Sequence, residues 1–513
     1  MIIDDQHYDI IIVGTGAGGG TLAQKLAPTG KRILVLERGD RMALEEQNRA
    51  DVDVFQKGRY RSPEKWYDLE GEPFSPQMNY AVGGNTKIYN ATLMRMRERD
   101  FEAVTYQDGI APEWPIKYGD WEPYYTEAEH LYQVHGNQQD DPTEPFHSKG
   151  YPYPAVDHSP VVAPIVDLIK SEGFSPTSLP ISLTSQEDDP TGDAEVFGID
   201  LAINHDNVTL KTSTQVVGLH TNHSGSEIKG VEAAVNGQAF LFSADIVVLA
   251  CGAVNSAALM LDSANEKHPN GLANGSDQLG RNLMKHLMTV IVERDSTKND
   301  GTFMPSVSVN DFYWGDRRDF EYPLGHIENS GGLLQDIIFA ESPPLLSVLA
   351  RFLPDAGLTR LAKRSIGWWA QTGVLPDPNN RVYWQTLSRY GRPKKKLRYE
   401  FTPNNLEAHD RLVYRWMGVL KDIENTGQEL RQSTVYPRGE TPVEVAGYQC
   451  GTARMGTDPA TSVLDINCRT HEIDNLYVVD SSFFPSCASV SPALTVMANA
   501  LRVGEHLIER LGV

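Results

Sequence analysis

The chain reads as an α/β protein, with a Rossmann-like dinucleotide-binding domain on a parallel sheet and an inserted α+β domain built on an antiparallel sheet. Three observations predict this. Segments beginning "YDIIIVG" at Tyr8, "KRILVLE" at Lys31, "ADIVVLA" at Ala244 and "NLYVVD" at Asn475 are continuous apolar runs, the pattern of strands buried on both faces of a parallel sheet. The runs from Tyr8 and Ala244 pass through glycine directly into a helical pattern. All of them lie far apart along the chain, so another domain must be inserted between strands of one sheet.

The first strand leads into "GTGAGGGTLAQKLA", where Gly14, Gly16 and Gly19 fit GxGxxG. The first glycine allows the tight turn, the second lets a pyrophosphate approach the backbone, and the third lets helix pack on strand. The helix N-terminus presents N–H groups and a positive dipole to the phosphates. The second strand ends in Glu37, placed to accept hydrogen bonds from an adenosine ribose. The third runs through Gly252 into a helix, and the fourth ends at Asp480.

Between about Val290 and Thr441 the pattern changes. "SIGWWAQTGVLPDPNNRVYWQ" and "KKLRYEFTPNN" are alternating or β-rich and broken by Pro and Asn, and "NLEAHDRLVYRWMGVLKDIE" is helical. An antiparallel sheet with a covering helix follows, an arrangement that can roof a pocket; Trp368, Trp369 and Trp384 read as core. The expected boundaries are a discontinuous dinucleotide-binding domain of residues 1–150, 190–290 and 441–513, and a substrate-binding domain of residues 151–189 and 291–440.

Composition narrows the partners. The 513 residues are 40% hydrophobic, ample for large cores. Lys+Arg 46 against Asp+Glu 68 gives a net charge of −22, which repels phosphate backbones and anionic lipid and argues against nucleic acid or a membrane surface. The basic run "RPKKKLR" from Arg392 reads as a solvated hairpin. No apolar run reaches the length of a membrane span, and "MIIDDQHYD" lacks a signal-peptide pattern, so a cytoplasmic location is expected. Cys251, Cys450, Cys468 and Cys487 show neither CxxC nor Cys/His spacing, so no metal site and no disulfide framework is indicated. Cys450 and Cys487 read as small buried hydrophobes.

Ordered along nearly the whole chain stand "GTGAGG" with Glu37, "NYAVGGNTKIYNATLMRMRERDFE" from Asn79, "WPIKYGDWEPYYTEAE" from Trp114, "GRNLMKH" from Gly280, "GTARMGTDPATSVLD" from Gly451 and "SPALTVMANALR" from Ser491. Together they resemble the glucose-methanol-choline (GMC) oxidoreductases, FAD enzymes that usually oxidise alcohols. The resemblance implies an FAD-binding domain in which Gly83 and Gly84 let backbone run against the flat isoalloxazine, and Asn85 and Thr86 offer polar contacts to its edge. It implies a backbone contact to adenine at Val216 and a contact of Asp480 to the ribityl-pyrophosphate part of FAD. Some members attach FAD through a histidine in the segment that here reads Lys87, Ile88, Tyr89. Ile88 cannot make that bond, so the FAD is expected to be noncovalent.

The resemblance also marks a departure. The family's catalytic histidine lies three residues before the Gly-Thr of "GTARMG", and this chain has Tyr448 there. The second catalytic position, usually His or Asn, precedes Pro492 and is Ser491. A histidine base contributes about 10²- to 10⁴-fold, whereas an ordinary tyrosine, with a pKa of about 10, is a hydrogen-bond donor at neutral pH. Three readings follow: an oxidoreductase acting on a CH–OH group or related small substrate with Tyr448 as a polarising hydroxyl; a flavoenzyme with lyase, elimination or photochemical reactivity; or a catalytically silent FAD-binding protein. The electron acceptor is left open. His286 and His471 read as structural, and Arg454 as a brace for its loop.

Overall fold

The computed structural model describes residues 1–43, 45, 59–76, 78–184, 192–294, 305–316, 319–329, 365–389, 392–425, 439–440 and 448–513. The apolar runs that open the chain's nucleotide motifs do lie in one seven-stranded sheet, in the order Val208–Lys211, Ile33–Leu36, Ile2–Val13, Gln238–Leu249, Ile228–Val235 and Thr214–Thr221, with Leu476–Val478 also paired to Gln238–Leu249. Ile10–Val13 pairs in parallel with Ile33–Leu36 on one side and Ile246–Leu249 on the other. Ile10, Ile11 and Ile12 are fully buried, as a strand covered on both faces must be. The last three strands of that order form an antiparallel meander.

Helices flank this sheet. Ala17–Leu26 packs on the C-terminal helix Ala493–Leu511, and the two approach so closely that a Cβ on Gly504 would stand 2.7 Å from Lys25 Cγ. Tyr118–Leu131 packs on the C-terminal helix in turn, joined by a hydrogen bond of 2.7 Å between Tyr125 and Thr495.

A second, six-stranded sheet is wholly antiparallel, in the order Gly439–Glu440, Leu287–Arg294, Ser365–Thr372, His326–Asn329, Val307–Val309 and Pro176–Ser178. The helix Leu406–Asn425 covers one face, where Trp416 meets Trp368 edge-on at 4.8 Å among Ile327, Ile366 and Leu412. Strand alternation sends Trp368 into that core and Trp369 to the opposite face. The reading of all three tryptophans as core holds fully for Trp368 and in part for Trp384, which packs against the main core with its Nε1 donating to Ala258 O at 2.8 Å; Trp369 and Trp384 also line the cavity described below.

The segment "KKLRYEF" departs from the expected single inserted sheet. It belongs to the hairpin Arg381–Arg389/Arg392–Glu400, which pairs with Trp66–Tyr67 and Pro73–Phe74 in a separate four-stranded sheet, sealed by Trp66 stacked on Tyr399 at 5.8 Å. From the basic run, Lys395 pairs with Asp262 and Lys396 lies 3.9 Å over the Tyr67 ring. The hairpin tip, residues 390–391, lies outside the described residues. Among the described residues no helix is long and apolar enough to cross a membrane, and no group of three or more metal-ligating side chains comes together.

Candidate active site

One long cavity of about 510 Å³ runs from the carboxyl ends of the parallel strands to the bare face of the antiparallel sheet. It collects Gly14, Gly16, Glu37, Gly84, Asn85, Thr86, Val216, Asp480, Tyr448, Ser491 and Pro492. Gly19 and Gly83 sit behind its wall, where they shape the loops rather than line them.

The glycines divide their work. Gly14 has φ +102°, and a Cβ there would stand 2.3 Å from the Ala250 carbonyl oxygen; on Gly19 it would stand 2.0 Å from that of Gly14. Both are therefore packing requirements. Gly18, which the sequence pattern did not single out, is another, since its Cβ would meet Val479 O at 2.4 Å. Gly16 differs, because the nearest atom to its Cβ would be 3.9 Å away, and Gly84 (φ +57°) faces it with a Cβ position 3.2 Å from the Gly16 Cα. Two stretches of backbone without side chains thus pack directly on each other at the cavity wall. Gly16 is also the N-cap of the helix Ala17–Leu26, which has no side-chain cap and no acidic residue in its first turn, so its N–H groups are free for an anion. A phosphate-bearing ligand fits this helix start.

The polar residues of the cavity are partly occupied by the protein. Glu37 accepts from Thr15 N at 3.1 Å, Thr15 Oγ1 at 2.7 Å and Gly39 N at 2.9 Å, and burial pushes its pKa up. A carboxylate has about four acceptor sites, which leaves room for a ribose hydroxyl. Asp480 accepts from Gly252 N at 3.1 Å, Ser256 Oγ, Ser482 N at 2.9 Å and Ser482 Oγ, so it ties two helix starts together at the cavity floor; burial raises its pKa as well. The Thr86 hydroxyl is committed to Gly83 O and Ala194 N, and Asn85 Oδ1 accepts from Asn79 N at 2.9 Å, so both side chains fasten the loop that carries Gly84. Ile88 presents hydrocarbon to the cavity.

At the far end Tyr448 has φ +59°, a left-handed conformation that is a genuine outlier for a bulky residue. Its ring stacks on His286 at 4.8 Å and 20°. Burial, followed by the Glu328 carboxylate, raises the phenol pKa well above its ordinary value, so Tyr448 is a donor. Ser491 shares this end and precedes the helix Ala493–Leu511, with its Oγ 3.5 Å from Ala493 N. Trp369 and Gln449 line the cavity as well, and their buried Nε1 and Nε2 donors have no hydrogen-bond partner among the described residues. The sequence reads Trp369 as core and His286 as structural and does not single out Gln449; the unsatisfied donors become visible only once the chain has closed around them.

Sequence profiles described as GMC oxidoreductase match residues 8–288 and 376–500. The chain belongs to the GMC oxidoreductases. It is an FAD-dependent oxidoreductase. Among its GMC relatives, 6'''-hydroxyparomomycin C oxidase from Streptomyces lividus is 29% identical, with 99% of this chain and 92% of that protein aligned. Fructose dehydrogenase large subunit from Gluconobacter japonicus is 25% identical, with 98% of each covered. Pyridoxine 4-oxidase from Mesorbium loti has the same fold, with a TM-score of 0.71 at 19% identity over 98% of this chain and 99% of that one.

Proposed function

We propose that this GMC enzyme oxidises a CH–OH group of a small, oxygen-bearing molecule, with Tyr448 and Ser491 occupying the two positions that meet the reacting hydroxyl. The observation that carries the reading is the donor set at the far end of the cavity. Tyr448 Oη is held protonated, and the buried Trp369 Nε1 and Gln449 Nε2 lack partners among the described residues. Unpartnered buried donors are costly unless a ligand supplies acceptors. The family names of the relatives, a paromomycin-derivative oxidase and a fructose dehydrogenase, support a substrate of this kind.

Bound here, FAD would accept the carbon-bound hydrogen as hydride, and the hydroxyl proton would be released to solvent. Tyr448 donates to the substrate oxygen and fixes the orientation of the adjacent C–H, while the small Ser491 leaves space for a second substituent. Glu37 holds the ribose, Val216 contacts adenine, Asp480 braces the ribityl-pyrophosphate region, and Ile88 leaves FAD noncovalent. Residues 1–150, 190–290 and 441–513 serve the cofactor, and residues 151–189 and 291–440 the substrate. Anaerobic flavin bleaching by a panel of alcohols, sugars and aldehydes, with product analysis, tests the reading. Products without flavin reduction would instead support lyase or elimination chemistry.

A further inference from the structure

The face of the antiparallel sheet that the helix Leu406–Asn425 leaves uncovered carries buried polar side chains. Met288 and Trp369 line the cavity from this face. Gln371 stands opposite Met288 on one side and His326 on the other, and Glu328 stands opposite Trp369, so all three point to the same side as the cavity-lining pair. His326 and Gln371 are 1% exposed and Glu328 3%. A carboxylate and an imidazole buried on a sheet face are costly unless each is hydrogen-bonded. Here they find their partners in one line that runs from Arg97 to the Tyr448 ring.

The donors and acceptors of that line follow in order. Arg97 Nη2 and Asn310 Nδ2 both donate to Asp141 Oδ2 at 2.6 Å. The Asn310 amide is thereby turned so that its Oδ1 accepts from His326 Nδ1 at 3.1 Å, and His326 Nε2 lies 3.4 Å from Glu328 Oε2. Gln371 Nε2 donates to Glu328 Oε1 at 2.9 Å, which leaves Gln371 Oε1 to accept from His286 Nδ1 at 3.3 Å. Nδ1 of His286 therefore carries the proton, and its Nε2 has no hydrogen-bond partner among the described residues. The His286 ring, so oriented, stacks on Tyr448 at 4.8 Å and 20°. The backbone pair between Met284 and Cys450, with N–H to O distances of 2.9 and 3.0 Å, lays the two ring-bearing segments side by side.

We propose that Glu328 is a positioning residue for the reacting end: through Gln371 and His286 it holds the Tyr448 ring at the angle from which its hydroxyl reaches the substrate oxygen. The inference rests on the reading of Tyr448 as the hydroxyl donor. A backbone at φ +59° fixes where the side chain starts, and a stacked pair of rings tolerates sliding and tilting, so neither sets the direction of the phenol. A hydrogen bond that ends on a carboxylate is directional and stronger than a neutral one. Glu328 also acts by polarity, since a carboxylate accepts at both oxygens and so forces the Gln371 amide into one orientation. An amide in its place could donate as well, and Gln371 could then turn its Nε2 toward His286. Rate is sensitive to such angles, because misplacing a reacting group by about 1 Å costs about 10²-fold.

The test uses FAD-loaded protein with fluorotyrosine incorporated at position 448 and records its fluorine NMR spectrum without substrate. E328Q keeps the shape and changes the polarity, whereas Q371M keeps the Glu328–His326 contact and removes the link to His286. Each should shift and broaden the fluorine signal relative to wild type, with flavin content and circular dichroism unchanged. With the alcohol that bleaches the wild-type flavin fastest, both should lower the limiting rate of anaerobic flavin reduction by about tenfold or more at a little-changed half-saturating concentration. A merely structural role would change the folded fraction and leave the rate per bound flavin as it was. An unaltered fluorine signal in both variants would overturn the proposal, as would an altered signal with an unaltered limiting rate. If no alcohol bleaches the wild-type flavin, the proposed oxidation fails, while the fluorine spectra still decide whether Glu328 holds Tyr448.

Discussion

A tyrosine at φ +59° is held there against a cost of about 1–3 kcal/mol. The stacked His286 and the Met284–Cys450 backbone pair on either side of the turn are what hold it. The strain places a phenol where the family has an imidazole, and the missing contribution should be proton transfer. Replacing both positions, Tyr448→His with Ser491→Asn, should create or raise alcohol-driven flavin reduction by about 10²-fold, about 2.7 kcal/mol of barrier. If bleaching by alcohols stays absent and native turnover is undiminished, neither residue belongs to the reacting centre. Glu37→Ala should first lower flavin occupancy, by the roughly 1.5–3 kcal/mol of a charge-assisted hydrogen bond; unchanged flavin content at limiting FAD would remove Glu37 as the ribose ligand. At this scale, the resemblance to the family put Tyr448 and Ser491 at one reacting centre, and both line one cavity. It was silent on the stack of His286 and Tyr448, since only the tertiary pairing of distant segments brings those rings together.

The elements explain why some motif positions tolerate change and others do not. The fingerprint treats its glycines alike, yet Gly19 abuts the Gly14 carbonyl whereas Gly16 opens on the cavity. Gly16→Val should therefore leave the apo fold nearly as stable while abolishing FAD uptake, because its side chain fills the phosphate position. Gly19→Val should lower the melting temperature of the apoprotein itself. Equal apo stability of the two variants would contradict the assigned division of work. The strand Ser365–Thr372 poses the same problem in another form: "GWWAQ" reads as a strand, but which tryptophan faces the core depends on what covers each side. The helix Leu406–Asn425 decides that by burying Trp368. Trp368→Ala should cost about 3–5 kcal/mol of stability, and Trp369→Phe, which removes the indole N–H, should leave stability near wild type while weakening substrate affinity.

Over the whole molecule, the parallel sheet was legible because burial on both faces writes itself as unbroken apolar runs. The partner of the hairpin Arg381–Glu400 was not, since alternation specifies a strand and one covered face without saying that Trp66–Tyr67, far earlier in the chain, will pair with it. The segments proposed to hold FAD, namely the turn after the first strand, the Gly84 loop, the strand Thr214–Thr221, Asp480 and the start of the C-terminal helix, all meet at one cavity. An FAD held there without a covalent bond, as we propose from Ile88, would be linked to global folding, because it would bind the native state and not the unfolded chain. Free FAD at a hundred times its dissociation constant should then add about 2.7 kcal/mol, with a further increment of about 1.4 kcal/mol for each tenfold increase. Melting temperature measured against added FAD should rise steadily with the logarithm of its concentration, and acid or heat denaturation should release all flavin into the supernatant. A melting temperature indifferent to added FAD, together with flavin that stays on the polypeptide through a denaturing gel, would show a covalent attachment elsewhere and refute the inference drawn from Ile88.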